Sequence, residues 1–175
     1  MNTTDKYLFQ AMDYYPFSLG EATESLGYAL SYDAQNTMAL CLSGRVQAEQ
    51  LLNYEKAKEF FEQALGINLH ALEIYPHYID TLIMNGDYDE AEKLIDFALT
   101  VKGIDKPLIL WHKVLLFETR QEFKAARKVL QQVRLHLIND WVFNFMEQVE
   151  KRLDKKIELS KKKKKKAKKG KKKSK

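Results

Sequence analysis

Small and large apolar residues recur along this chain at helical spacing. Alanine stands at 22, 57, 91 and 126, and seven positions after each comes Ala29, Ala64, Ala98 or Val133, so the pattern returns at intervals of 35, 34 and 35 residues. Four residues beyond the first alanine is a large apolar residue (Leu26, Phe61, Ile95, Leu130), and three before it stands Leu19, Tyr54, Tyr88 or Phe123. Offsets of three, four and seven put these positions on one face of a helix. A methyl-sized side chain lets a neighbouring helix axis approach to the short end of the usual range of about 8–10 Å, while the large residue fills the adjoining groove. A repeat of this length cannot bury its own apolar face and must stack on its neighbours, which makes a surface rather than a reaction pocket.

Local signals mark where the helices begin and end. Ser18-Leu-Gly-Glu21 and Asp87-Tyr-Asp-Glu90 predict capping boxes, and Asn53 predicts an N-cap before Tyr54. Ahead of each alanine-bearing helix a second one is expected, over Thr4–Tyr14, Thr37–Leu51, Leu72–Met84 and Leu108–Thr119. Pro76 falls in the first turn of the third, where a missing N–H is tolerated, and Pro107 follows Asp105 as a cap for the fourth. Gly86 and Gly103 sit where helices should stop. Asp140 opens a last amphipathic helix, with Trp141, Phe145, Val149, Leu153 and Ile157 every four residues and a charged opposite face, which would cover the final apolar surface. The expected fold is therefore all-α: about four helix-turn-helix repeats forming a solenoid over residues 1–159, with a capping helix at 140–159.

The segment Asn85-Gly-Asp-Tyr-Asp-Glu-Ala-Glu-Lys-Leu-Ile-Asp-Phe-Ala-Leu99 resembles the second half of a tetratricopeptide repeat, and Asn53-Tyr-Glu-Lys-Ala-Lys-Glu-Phe-Phe-Glu-Gln-Ala-Leu65 is similar to it. Leu42-Ser-Gly44 matches the family's Leu-Gly step with one extra residue before Ala57; Trp111 is a rough counterpart of its tryptophan, and the closing proline is missing after Leu65. The resemblance extends over residues 4–138 and implies a right-handed α-α superhelix whose concave groove is lined by the first helix of each pair. Carried over by position, the groove residues would be Tyr7, Ala11 and Tyr14, then Leu42, Val46 and Glu49, then Pro76, Asp80 and Ile83, then Trp111, Leu115 and Glu118. None is Lys or Asn, so the carboxylate clamp of some family members is not expected. A protein or peptide segment with apolar anchors suits these residues better. Leu42, Trp111 and Leu115 can equally be interhelical core.

Charge divides the chain into two parts. The formal total is +5, yet twelve of the 29 basic residues lie in the last fifteen positions: Lys161, Lys162, Lys163, Lys164, Lys165, Lys166, Lys168, Lys169, Lys171, Lys172, Lys173 and Lys175. Without them, 17 basic and 24 acidic residues leave −7. The segment 160–175 has no apolar side chain larger than alanine and repels itself, so a disordered tail is expected. Three readings of such a tail stand open: a solvated terminus with no specific partner; attraction to RNA, DNA, the ribosome surface or another polyanion through counterion release, without base stacking, since aromatic residues are absent from it; and contact with an anionic membrane surface or with the chain's own acidic helix faces. Two functions follow as expectations. One is a non-enzymatic adaptor that binds a protein segment in its groove and is localised by its tail. The alternative is a nucleic-acid- or ribosome-associated protein in which the tail makes the main contact.

Candidate chemistry elsewhere is thin. A content of 45% apolar residues with 7 Gly and 3 Pro is enough for a core but leaves little punctuation for a β fold. The start of the chain lacks the pattern of a signal peptide, and no apolar run approaches the ~20 residues that span a bilayer, so a cytoplasmic location is expected. Cys41 stands alone in an apolar run and reads as a buried structural thiol. His70, His77, His112 and His136 form no ligand spacing, and there is no phosphate-binding glycine motif. No metal, cofactor or catalytic residue is predicted, and nothing in the chain sets an oligomeric state.

Overall fold

The computed structural model describes residues 3–136 and 140–173. Its helices are α1 (Thr3–Tyr14), α2 (Leu19–Tyr32), α3 (Thr37–Arg45), α4 (Tyr54–Ile67), α5 (Ile74–Asn85), α6 (Tyr88–Ala98), α7 (Lys106–Thr119), α8 (Phe123–Arg134) and α9 (Asp140–Lys173), with a π-helical turn at Val46–Gln50 continuing α3. There is no strand among the described residues. The chain is thus all-α and built of successive helix pairs, as the recurrence of alanine predicts. It divides into two compact units, Met1–Ile104 with three pairs and Asp105–Lys175 with the fourth pair and α9.

The repeating positions are the core. Ala22, Ala29, Ala57, Ala64, Ala91, Ala98 and Ala126 have no exposed surface, and Val133, Leu26, Phe61, Ile95 and Leu130 are all buried. Gly44 shows how closely the helices approach. A Cβ built there would stand 2.7 Å from Cε1 of Phe61 on α4, so α3 and α4 touch through a residue with no side chain. The Phe61 ring stacks in turn on Tyr78 of α5, with centroids 5.5 Å apart, and the Tyr78 hydroxyl donates to Glu62 at 2.8 Å.

Helix ends follow the sequence signals in part. Asn53 accepts the Lys56 N–H at 3.2 Å, Asp105 accepts that of Leu108 at 3.0 Å, and Gly86 closes α5 in the left-handed region at φ 89°. The two expected capping boxes do not form: neither Ser18 nor Asp87 caps its helix through its side chain. The Ser18 hydroxyl donates instead to the Glu21 carboxylate at 2.8 Å. Asp87 is drawn away by a cation, accepting from Lys58 of α4 and from Asn85, each at 2.7 Å. This lowers its pKa and raises that of Lys58.

In the second unit α9 lies on α7 and α8 with its carboxylates on one flank and its cations on the other. Glu150 and Asp154 take Arg127 and Arg134 of α8, while Arg152 (2.9 Å) and Lys156 (2.6 Å) take Glu118 of α7. Met146, Val149 and Leu153 are buried between the flanks. Each partly exposed pair contributes only ~0–1 kcal/mol. Their opposite signs nonetheless resist rotation of the helix about its axis. The helix also runs past residue 159, where the sequence places the start of a disordered tail, and continues to Lys173. Lysine is a good helix former, and extending an existing helix avoids the cost of a new nucleus. The side chains of Trp141 and of Lys163 to Lys175 lie outside the described residues.

Candidate partner-binding groove

In the first unit the first helix of each pair contributes to one hollow of about 300 Å³, lined by Met12 and Tyr15 at the end of α1, Met38, Cys41, Leu42 and Arg45 of α3, and Glu73 and His77 at the start of α5. That is the low end of the range of about 300–1,000 Å³ for ligand sites, and suits a side chain rather than a cofactor. The lining is amphipathic. Met12, Met38, Leu42 and the buried Cys41 are apolar, and the ionisable groups gather beside them.

Three of those groups, Tyr15, Arg45 and His77, meet around Glu49, which the π-helical turn carries. Arg45 donates to it from Nε at 3.0 Å, the Tyr15 hydroxyl donates to it, and His77 Nδ1 lies 3.6 Å away. The Arg45 guanidinium also lies 4.8 Å from the centre of the Tyr15 ring. Burial works to raise the Glu49 pKa, but the hydrogen bonds from Arg45 and Tyr15 outweigh it and hold the carboxyl below its ordinary range. Burial raises the Tyr15 phenol, and its bond to Glu49 adds to the rise. Arg45 and Glu49 therefore persist as an ion pair. Burial pushes the Cys41 thiol up to about 12, so it is a packed apolar group rather than a nucleophile.

The residues expected to face a groove are distributed otherwise. Leu42 and Val46 both belong to the core cluster with Leu8, Ala11, Leu26 and Ala39, and of the two only Leu42 also reaches the floor of the hollow. Tyr7 packs between Tyr28 and Tyr32, with centroids 5.1 and 5.7 Å away, and Tyr14 is exposed outside the hollow. On α5, Asp80 is exposed and Ile83 half-buried, and neither lines it. On α7 the Trp111 ring meets Phe145 of α9 edge-on at 5.8 Å. Leu115 is half-buried, and Glu118, with its side chain 11% exposed, is held by Arg152 and Lys156. Helix α9 thus engages at least two of these three α7 positions, a correction to their assignment as partner-facing. Met12, Tyr15, Met38, Arg45, Glu73 and His77 line the hollow instead, each one position or three to four away from an expected groove residue. Among the described residues no group of three or more His, Cys, Asp or Glu side chains is arranged to hold a metal. No helix among them is long and apolar enough to cross a membrane.

The arrangement defines a helical-repeat class of fold with an open, mixed hollow on its first helices. The solved structure of PilW, a widely conserved type IV pilus biogenesis factor, is similar to it: TM-score 0.67 and 24% identity, covering 76% of this chain and 62% of that one. The chain therefore spans less than two thirds of that protein's length, and at this identity the likeness shows the fold alone. No family model and no curated protein matches the sequence.

Proposed function

We propose that the chain is a non-enzymatic adaptor of tetratricopeptide type, working in the cytoplasm, which holds a protein or peptide segment in the hollow of its first helices. Its lysine-rich end would draw it to a polyanion. One observation carries the reading: α1, α3 and α5 leave an accessible surface of thioethers and paired charges, while the packing alanines all point inward. Such a surface offers a docked segment apolar contact and hydrogen bonds, and it lacks an activated nucleophile. The second reading, in which the C-terminal segment makes the main contact with nucleic acid or the ribosome and the helix pairs only space or dimerise it, is favoured by twelve lysines in fifteen positions.

A photo-cross-linking amino acid placed at Met38, on the rim, or at Lys93, exposed on α6, separates these readings. Position 38 should capture a discrete partner that position 93 does not, and removal of residues 161–175 should leave that capture intact. Loss of all capture on that removal would favour the second reading. Identical products at the two positions would dismiss the groove.

A further inference from the structure

The charge of the groove-bearing unit is far from that of the whole chain. Residues 1–104 hold 16 acidic and 6 basic side chains, a net −10, whereas residues 105–175 hold 8 acidic and 23 basic, a net +15. The +5 total conceals an acidic first unit. A field of that sign concentrates cations near the surface and speeds the arrival of basic partners.

The hollow repeats this bias locally. Its one permanently charged cation, Arg45, is already neutralised by Glu49, and Glu49 is further engaged by Tyr15 and His77. Glu73, exposed at the opposite rim, has no ion-pair partner among the described residues. With His77 neutral, the hollow therefore offers an incoming segment a net negative rim over an apolar floor. A carboxylate arriving there would meet Glu73 and an Arg45 already committed to Glu49. A lysine or arginine can lay its aliphatic stem on the methionines and place its cation at the rim.

We propose, on the strength of the groove reading above, that the α1–α3–α5 hollow selects a basic partner segment: an apolar anchor residue seated among Met12, Met38 and Leu42, flanked by Lys or Arg side chains that reach Glu73. The thioethers of Met12 and Met38 adapt to the shape of the anchor, so charge rather than outline sets the preference. The chain's own stretch 161–175 supplies the cations but no anchor, having nothing apolar larger than alanine.

The test uses the full chain and three fluorescent pools of peptides about twelve residues long, each with a central Leu, Met or Phe and flanks of Lys/Arg, Ser/Gln or Asp/Glu. The acidic pool will also associate with the lysines at 161–175, so the quantity read for each pool is the binding lost in Met38→Ser, which removes the apolar contact without adding charge. That variant changes a half-exposed rim residue and should melt as the parent does. The basic pool should bind about tenfold more tightly than the acidic one in this component at ~50 mM salt, the gap should close towards ~0.5 M salt, and Glu73→Lys should narrow it at low salt. Equal Met38-dependent binding of all three pools, or a preference for the acidic one, would overturn the charge selection while leaving the groove in place. Binding of every pool unchanged by Met38→Ser would remove the groove reading as well.

Discussion

Gly44→Ala tests the packing on which the helix pairs depend. The new methyl carbon would stand 2.7, 2.8 and 3.0 Å from three carbons of the Phe61 ring, where ordinary carbon contacts lie at about 3.5–4.0 Å. The ring cannot swing clear cheaply: it is fully buried and stacked on Tyr78, whose hydroxyl is itself bonded to Glu62. Overpacking of this kind costs about 1–3 kcal/mol, and three simultaneous overlaps argue for the upper half of that range. Against it, replacing a helical glycine by alanine gains about 1 kcal/mol. The net expectation is a loss of about 1–2 kcal/mol, a five- to thirtyfold fall in the folded-to-unfolded ratio.

The sign is checked with a second background. Phe61→Leu removes the ring, so Gly44→Ala should there become neutral or stabilising, and the double-mutant cycle should give a coupling of about 2 kcal/mol. Urea unfolding followed by amide exchange in α3 and α4 reports the first unit. Both tryptophans, Trp111 and Trp141, belong to the second unit, so their fluorescence serves as a control. If Gly44→Ala raises the midpoint in both backgrounds alike, the close α3–α4 contact is not what excludes a side chain at 44.

Three further outcomes follow from the same structure. Ala91→Leu places a large side chain where no surface is exposed and should lower stability by about 1–3 kcal/mol; an unchanged denaturation midpoint would count against the small-residue contact. Cys41, with its thiol pushed up to about 12 by burial, should react with iodoacetamide at pH 8 about a hundredfold more slowly in the native chain than in urea, and equal rates would show that it is accessible. Burial works to raise the Glu118 pKa, but Arg152 and Lys156 outweigh it and depress the carboxyl in the folded state. Its contribution to stability is therefore present above the ordinary carboxylate pKa of about 4.3 and is lost as the pH falls through its lower folded value. The stability gap between the parent and Glu118→Gln should accordingly shrink below about pH 4, and a gap constant to acid would mean that the α7–α9 contact is not electrostatic.

Much of the fold was legible because its determinants are local and periodic. The spacing of Ala57, Phe61 and Ala64 specifies a face whatever partner covers it, and Asn53, Gly86 and Asp105 act within one turn of their own position. The capping box at Asp87 was not legible as absent, because what unmakes it is Lys58, 29 residues earlier on another helix. Nor could spacing reveal that α9 engages Trp111 and Glu118. An apolar or acidic residue on a first helix reads the same whether a partner or the chain's own next helix meets it, and the two are distinguished by the Trp111–Phe145 ring contact and the ion pairs of Arg152 and Lys156 with Glu118.

The residues that line the hollow differ from the expected ones for a more specific reason. One position along a helix turns the side chain by about 100°, enough to exchange a groove-facing place for a core place. On α3 the sequence held a trace of this: Gly44 stands one residue farther from Ala57 than the resemblance requires. The extra residue is taken up where the Leu51 N–H reaches back five residues to the Val46 carbonyl at 3.2 Å, in the π-helical turn. Such turns absorb a single insertion and often stand at functional sites. The residues before it keep the α-helical phase, so Met38, Cys41 and Arg45 share the hollow while Val46 points into the core. Within the widened turn Glu49 comes to rest against Arg45, Tyr15 and His77. The irregularity that obscured the register is the same one that sets Glu49 against three of the residues lining the hollow.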